Sequence, residues 1–137
     1  MGAERTFWEK ATAAHVYSLQ GRLRGERYSR HWYDLSAMAK SGHAQTAIMD
    51  LQLAQIVADH KAMFFAGKDA AKVWIDYAAA VGGCIQLVPE GGALESLEQD
   101  YRAMLDDGLL ASGELSFAEI IGICTELQEQ INAQNRS

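Results

Sequence analysis

The sequence predicts an all-α fold, a compact bundle of about five helices with one short extended segment near residues 84–88. The chain contains a single proline, Pro89, and helices tolerate most compositions except internal proline. Apolar residues make up 49% of the chain and recur with the helical period in most of it. The length of 137 residues is ordinary for one domain, and no linker or internal repeat is present. We therefore expect residues 1–137 to form one helical domain.

Two helices are predicted in the N-terminal part, separated by a basic loop. The first runs from about residue 4 to residue 20, with three apolar residues on one face: Phe7, Ala11 and Ala14. Residues 21–28 hold two glycines among arginines, which is typical of a short loop. Ser29 offers an N-cap for a second helix that continues to about Lys40.

A longer helix is predicted next, from about residue 44 to residue 66. Its inward stripe is expected to consist of Ile48, Leu51, Ile56, Met63 and Phe64. Residues 68–80 favour either a short helix or an ordered loop. After the break at Gly82-Gly83, residues 84–88 are β-prone but too isolated to form a sheet.

Two further helices are predicted in the C-terminal part. One spans about residues 94–106, with an inward stripe of Leu94, Leu97, Tyr101 and Leu105. The last begins after Ser116, which forms a capping box with Glu119. Its stripe consists of Ile120, Ile123, Leu127 and Ile131.

Charge is unevenly distributed along the chain. The net charge is −6, but residues 1–40 carry seven positive and four negative side chains, hence +3, which leaves −9 for the remainder. This pattern indicates either local phosphate binding or a charged surface without a ligand. No apolar run approaches the roughly 20 residues of a membrane span. We expect a cytoplasmic protein, with Cys84 and Cys124 as small core residues in a reducing compartment.

Most motifs that identify an enzyme are absent from the sequence. There is no Walker loop, GxGxxG, HExxH, CxxC or GxSxG, and the four histidines show no zinc-ligand spacing. No metal ligands are therefore predicted. Two N-terminal segments remain as candidates for a functional site.

The first candidate segment is RTFWEKAT, residues 5–12, which places Lys10 at the border of the apolar face of the first helix. A lysine at that position either extends its ammonium group to solvent or directs it into a cleft, where it would hold a phosphate as a point charge. The spacing alone leaves both interpretations open.

The second candidate segment is YSRHWYDL, residues 28–35, with Arg30 and Asp34 four residues apart on one helical face among aromatics. The pair is explained equally well by an exposed i, i+4 ion pair and by a functional cleft. If a cleft exists, we expect its neighbours to include Glu9, His31 and Tyr33.

Several segments resemble the C-terminal part of nucleotidyltransferases of the AbiEii/AbiGii toxin family. They are RTFWEKAT, RYSRHWYDL, DHKAMFF and LVP, in this order along essentially the whole chain. The resemblance implies a helical domain that contributes a lysine and a later aspartate to a nucleotide cleft, here Lys10 and Asp34, with Arg30 beside them. Many relatives have an acidic residue at the position of His31.

The resemblance also implies parts that this sequence lacks. In the family a polymerase-β-like N-terminal half carries a Gly-Ser pair and an Asp-x-Asp motif, which bind Mg²⁺ and an NTP; the sequence contains neither. We therefore expect no cofactor in this chain, and either a fragment or a truncated relative that is inactive alone. The implied partners are an N-terminal catalytic half, an antitoxin, and an RNA acceptor for the complete enzyme.

A non-enzymatic alternative has its own expectation. A truncated relative could act as an interaction or dimerisation module, and Trp8, Trp32 and Tyr33 would then be expected on its bare apolar surface, either exposed or buried in a homodimer. A structural remnant without present activity is a third interpretation.

Overall fold

A computed structural model describes residues 2–21, 28–108 and 115–134. Within these ranges it contains seven α-helices and no strand: α1 (Ala3–Gln20), α2 (Arg30–Ser41), α3 (His43–Met49), α4 (Leu51–Phe64), α5 (Tyr77–Ala79), α6 (Gly91–Asp106) and α7 (Phe117–Gln134). The predicted all-α class is confirmed. The expected number of about five helices is too low, because the predicted helix at 44–66 is divided in two and a short helix forms at 77–79.

The long predicted helix is interrupted at Asp50. This residue leaves helical geometry, with φ −95° and ψ 79°, and its carboxylate accepts a hydrogen bond from the Leu53 N–H at 3.0 Å. It thus caps α4 as a new helix start. Asp50 changes the rotational phase between α3 and α4, so one continuous stripe cannot describe both helices.

The predicted inward stripe of α4 is wrong. Ile48, at the end of α3, is buried, but four other members of the stripe are exposed: Leu51, Ile56, Met63 and Phe64. The residues of α4 that are buried are smaller, namely Ala54, Val57 and Ala58. Both faces of α4 carry apolar residues, and the face with the smaller side chains packs against the core.

The core is built around α1, which packs against α2, α3 and α4, while α2 and α3 also contact α7. The indole rings of Trp8 and Trp32 are fully buried. Their N–H groups donate to backbone carbonyls, that of Trp8 to Ala47 at 2.9 Å and that of Trp32 to Leu87 at 2.8 Å. The expected surface position of Trp8 and Trp32 is therefore wrong, because both rings hold the core together; Tyr33 is partly buried.

The segment between α5 and α6 is fixed by side chains instead of a neighbouring strand. A π-helical turn at Ala80–Cys84 is followed by Ile85 in extended geometry, with φ −77° and ψ 143°. The N–H groups of residues 85–88 donate to three side chains: Asn132 Oδ1, His15 Nδ1 and Gln128 Oε1. Cys124 is buried as expected, whereas Cys84 is exposed at the end of the π-helical turn.

Several predicted element boundaries are observed. Glu119 N–H donates to Ser116 Oγ at 3.1 Å and Ser116 N–H donates to Glu119 Oε1 at 3.2 Å, so the capping box at α7 is confirmed. Ser29 precedes α2, but its side chain makes no cap hydrogen bond; its hydroxyl lies 3.0 Å from the sulfur of Met104. Most of the predicted basic loop, residues 22–27, lies outside the described residues.

Candidate functional site

Contact between α1 and α2 brings the two predicted catalytic side chains together. Lys10 Nζ lies 2.9 Å from Asp34 Oδ2, and about a quarter of each side chain is exposed, 23% and 22% respectively. The register of the two helices turns Lys10 toward α2, so its ammonium group points neither into the core nor freely into solvent. A carboxylate at this distance restrains the ammonium group of the lysine.

Arg30 extends the same ion-pair group at its exposed end. Its Nε lies 3.9 Å from the Asp34 oxygen that contacts Lys10, and 57% of its side chain is exposed. This is the geometry of a weak i, i+4 surface pair. Arg30 therefore adds positive potential next to Lys10 but does not fix the position of the Lys10 side chain.

Lys10 opens onto a pocket of about 360 Å³, which we name the Lys10 pocket. It lies among α1, α2, α4 and α5, and its lining residues are Thr6, Glu9, Lys10, Thr12, Ala13, Val16, Tyr28, His31, Lys61, Phe65 and Tyr77. The volume lies within the range of small-molecule sites in proteins. Three aromatic side chains and two lysines share the lining, which is a suitable composition for an anion attached to a flat ring.

The predicted cleft neighbours are only partly collected in this pocket. Glu9 and His31 line it, and Glu9 lies 3.6 Å from Arg5 in an i, i+4 pair. Tyr33 lies elsewhere, in a separate surface depression with Lys40 and Leu115.

Sequence reasoning missed the pocket residues that come from outside α1 and α2, above all Lys61. The DHKAMFF segment could have indicated Lys61, because it places a cation next to aromatic residues. The stripe predicted for α4 instead placed Met63 and Phe64 inward, which is wrong.

His31 is an electrostatically unusual group of the pocket. Its Nδ1 is buried and has no hydrogen-bond partner among the described residues, and its ring packs edge-on against Tyr28 with centroids 4.6 Å apart. Burial lowers the pKa of His31 to about 4, and the positive charge of Lys10 acts in the same direction, whereas Asp34 opposes it. The imidazole is thus neutral at pH 7, with an unused buried nitrogen beside a cation.

The described residues do not fit a metal site. No three His, Cys, Asp or Glu side chains among them are grouped so that they could hold a metal ion. Mg²⁺ prefers several oxygen ligands, but Asp34 is engaged by Lys10 and Arg30. The Mg²⁺ implied by the family resemblance would need ligands from outside these residues. In the same ranges, no helix combines the length and apolar character of a membrane span.

Comparison with known families identifies one family. The sequence profile described as nucleotidyl transferase AbiEii toxin, type IV toxin–antitoxin system, matches residues 1–122. The chain belongs to the AbiEii family. No curated protein and no solved structure matches the chain significantly. The family assignment therefore rests on the profile, and the site on the contacts described above.

Proposed function

We propose that this AbiEii-family chain forms part of the nucleotide cleft of an enzyme that transfers a nucleoside monophosphate from an NTP to an acceptor such as an RNA end, with release of pyrophosphate. The observation that supports this most is the Lys10 pocket, where a lysine restrained by a carboxylate lies beside aromatic side chains. A lysine ammonium group binds phosphate as a point charge, and aromatic rings offer surfaces for a base.

Each charged residue has a separate role in this proposal. Lys10 contacts the phosphates of the NTP and stabilises the negative charge that develops during transfer. Asp34 positions Lys10 through the 2.9 Å contact, and it could also accept the proton of an acceptor hydroxyl. Arg30 does not line the pocket; it lies further out beside Asp34 and supplements the positive potential there.

The chain is proposed to be inactive on its own. In the family, the Gly-Ser pair and the Asp-x-Asp motif would hold metal ions that neutralise phosphate charge during transfer, and the sequence has neither. A separate catalytic half would supply that chemistry, in a toxin–antitoxin or phage-defence system. An antitoxin is the partner expected to restrain the complete enzyme.

Calorimetry with ATP, CTP, GTP and UTP in the presence of magnesium tests the proposal. We expect at least one nucleotide to bind the chain and the Lys10→Ala variant to lose that binding. Lys40→Ala, an exposed lysine on α2 outside the Lys10 pocket, is the matched control and should bind like the wild type. If no nucleotide binds the wild-type chain, the nucleotide-binding role is excluded for the chain by itself.

In the complete enzyme, Lys10→Ala is expected to abolish transfer with little loss of stability, because the Lys10 side chain is partly exposed. Near-normal transfer by that variant would contradict the role of Lys10.

A second candidate, a protein-interaction or dimerisation module, is favoured by one observation. Residues 49–74 expose eight large apolar side chains, here named the exposed apolar set: Met49, Leu51, Ile56, Met63, Phe64, Phe65, Val73 and Trp74. Such concentrations often mark surfaces that another protein covers. The molecular mass in solution tests this candidate.

A further inference from the structure

Lys61 brings a second ammonium group into the Lys10 pocket from a different helix. It lies near the C-terminal end of α4, and its Nζ is 4.9 Å from the centroid of the Phe65 ring. Both Lys61 and Phe65 line the pocket, whereas Lys10 enters it from α1. Two helices that are distant in sequence thus place one cation each in the same pocket.

Lys10, Lys61 and His31 line the same pocket, so the charges of both lysines act on the imidazole. Burial is the main cause that lowers the pKa of His31, and the charges of Lys10 and Lys61 both act in the same direction. Asp34 balances part of the Lys10 charge at 2.9 Å, and Glu9 is drawn toward Arg5 at 3.6 Å. Both lysines line the same pocket, so an anion bound between α1 and α4 would be attracted by two ammonium groups.

The contact of Lys61 with Phe65 does not prevent phosphate binding. Phe65 is half-exposed, at 49%, so the cation–π contact forms at a ring that solvent reaches. Such contacts are weaker than charge-assisted hydrogen bonds to a phosphate oxygen. A bound phosphate would draw the flexible lysine away from the ring, and the face of Phe65 would then be available to a base.

We propose that Lys61 is a second phosphate-binding residue, and that Lys10 and Lys61 together select a polyphosphate chain over a single phosphate. The proposal rests on the nucleotide-binding function proposed above and adds a residue and a substrate class to it. A nucleoside triphosphate spreads its charge over several phosphates, so it can meet ammonium groups from two helices at once. A nucleoside monophosphate has a single phosphate and is expected to gain less from the second lysine.

Titration calorimetry of the full chain with ATP, AMP and inorganic triphosphate tests this inference. We expect Lys61→Ala to weaken the binding of ATP and of inorganic triphosphate by about tenfold or more, and the binding of AMP by less than about threefold. Lys61→Arg should retain most of the affinity for ATP, because the positive charge remains. Lys68→Ala is the matched control, since Lys68 lies 4.7 Å from the Trp74 ring centroid in a similar cation–π contact but does not line the Lys10 pocket.

The outcomes separate the inference from the function on which it rests. If Lys10→Ala loses its affinity for ATP while Lys61→Ala binds ATP as well as Lys68→Ala does, Lys61 does not bind phosphate and the proposed function stands. An equal loss of AMP and ATP in Lys61→Ala would overturn the selection of polyphosphate. If ATP does not bind the wild-type chain, both proposals fail. Circular dichroism of each variant establishes that a lost affinity is not a lost fold.

Discussion

At the scale of single residues, His31 connects the electrostatics of the Lys10 pocket to a measurable pH dependence. Burial, followed by the charge of Lys10, lowers its pKa to about 4; Lys61 also lowers it and Asp34 raises it, so these groups from α1, α2 and α4 all act on the ring. A bound phosphate anion would favour the protonated imidazole and raise this pKa. Ligand binding would then take up a proton at pH values between the free and the bound pKa of His31.

We therefore expect triphosphate binding to become tighter as the pH falls from 7 toward 5, by up to about tenfold for each pH unit over which His31 is protonated in the complex but neutral in the free chain. The terminal phosphate itself takes up a proton near pH 6, so the pH dependence of His31→Gln provides the baseline. Calorimetry in two buffers of different ionisation enthalpy measures the proton uptake directly. Equal proton uptake by the wild type and His31→Gln would show that no phosphate approaches the imidazole.

His15 is a second buried histidine, and its neutral form supports the fold. Its Nδ1 accepts a hydrogen bond from the Gln86 N–H at 2.9 Å, which requires an unprotonated nitrogen. Burial lowers the pKa of His15 from 6.5 to about 4. The stabilisation is thus present above pH 6.5 and is lost as the pH falls through the interval between 6.5 and about 4.

We expect acid to reduce the free energy of unfolding by an amount on the order of 3 kcal/mol through His15 alone. Urea unfolding between pH 7 and pH 4.5 measures this loss. His15→Gln retains an acceptor but cannot titrate, so its stability should fall less steeply with acid. His43→Gln, at an exposed position on α3, should keep the wild-type slope; identical slopes for the wild type and His15→Gln would contradict the assignment.

At the scale of elements, α7 stabilises the segment at 85–88 through side-chain acceptors. Gln128 Oε1 accepts hydrogen bonds from the N–H groups of Leu87 at 2.8 Å and Val88 at 3.2 Å. Leu87 is fully buried, so its N–H has no ready replacement by water. The amide of one glutamine thereby takes the place of a neighbouring strand.

Gln128→Leu is expected to lower the free energy of unfolding by about 2 kcal/mol or more, because two backbone donors lose their acceptor. Gln130→Leu is the matched control, because Gln130 is an exposed residue of the same helix, and its stability should change by less than about 0.5 kcal/mol. Urea unfolding and hydrogen exchange of the Leu87 amide provide the measurements. Equal stability of the two variants would mean that the segment is held by packing alone.

The elements also differ in how far their sequence determines them. The start of α7 was predictable because Ser116 and Glu119 hold it through local hydrogen bonds. The orientation of α4 was not predictable, because both of its faces are apolar. The buried face is the one with the small side chains of Ala54 and Ala58, so size and not hydrophobicity distinguishes the two faces. Lys10 and Asp34 were predicted from segments that resemble the family, and the structure brings them into contact, whereas Lys61 joins the pocket only through the packing of α4.

At the scale of the whole molecule, a positively charged N-terminal part lies next to an exposed apolar surface. The chain carries a net charge of −6, yet its first forty residues carry +3 and line much of the Lys10 pocket. The exposed apolar set follows directly in sequence, at 49–74, and includes Met63 at 74%, Phe64 at 65% and Trp74 at 64% exposure. Phe65 belongs both to the exposed apolar set and to the lining of the Lys10 pocket, so a protein that covers this set would also border the pocket.

If the exposed apolar set is a dimerisation surface, sedimentation of the chain should give a reversible, concentration-dependent species of twice the 15.0 kDa chain mass. Phe64→Glu combined with Trp74→Glu should return it to the monomer, because two carboxylates cannot be desolvated at an apolar contact. Ala103→Glu with Ala118→Glu adds the same charge at exposed positions of α6 and α7 and should leave the dimer intact. A monomeric wild-type chain at all concentrations would contradict dimerisation, and these side chains would then be available to a different protein partner. Because Phe65 is unchanged in every variant, nucleotide binding can be compared in the same samples.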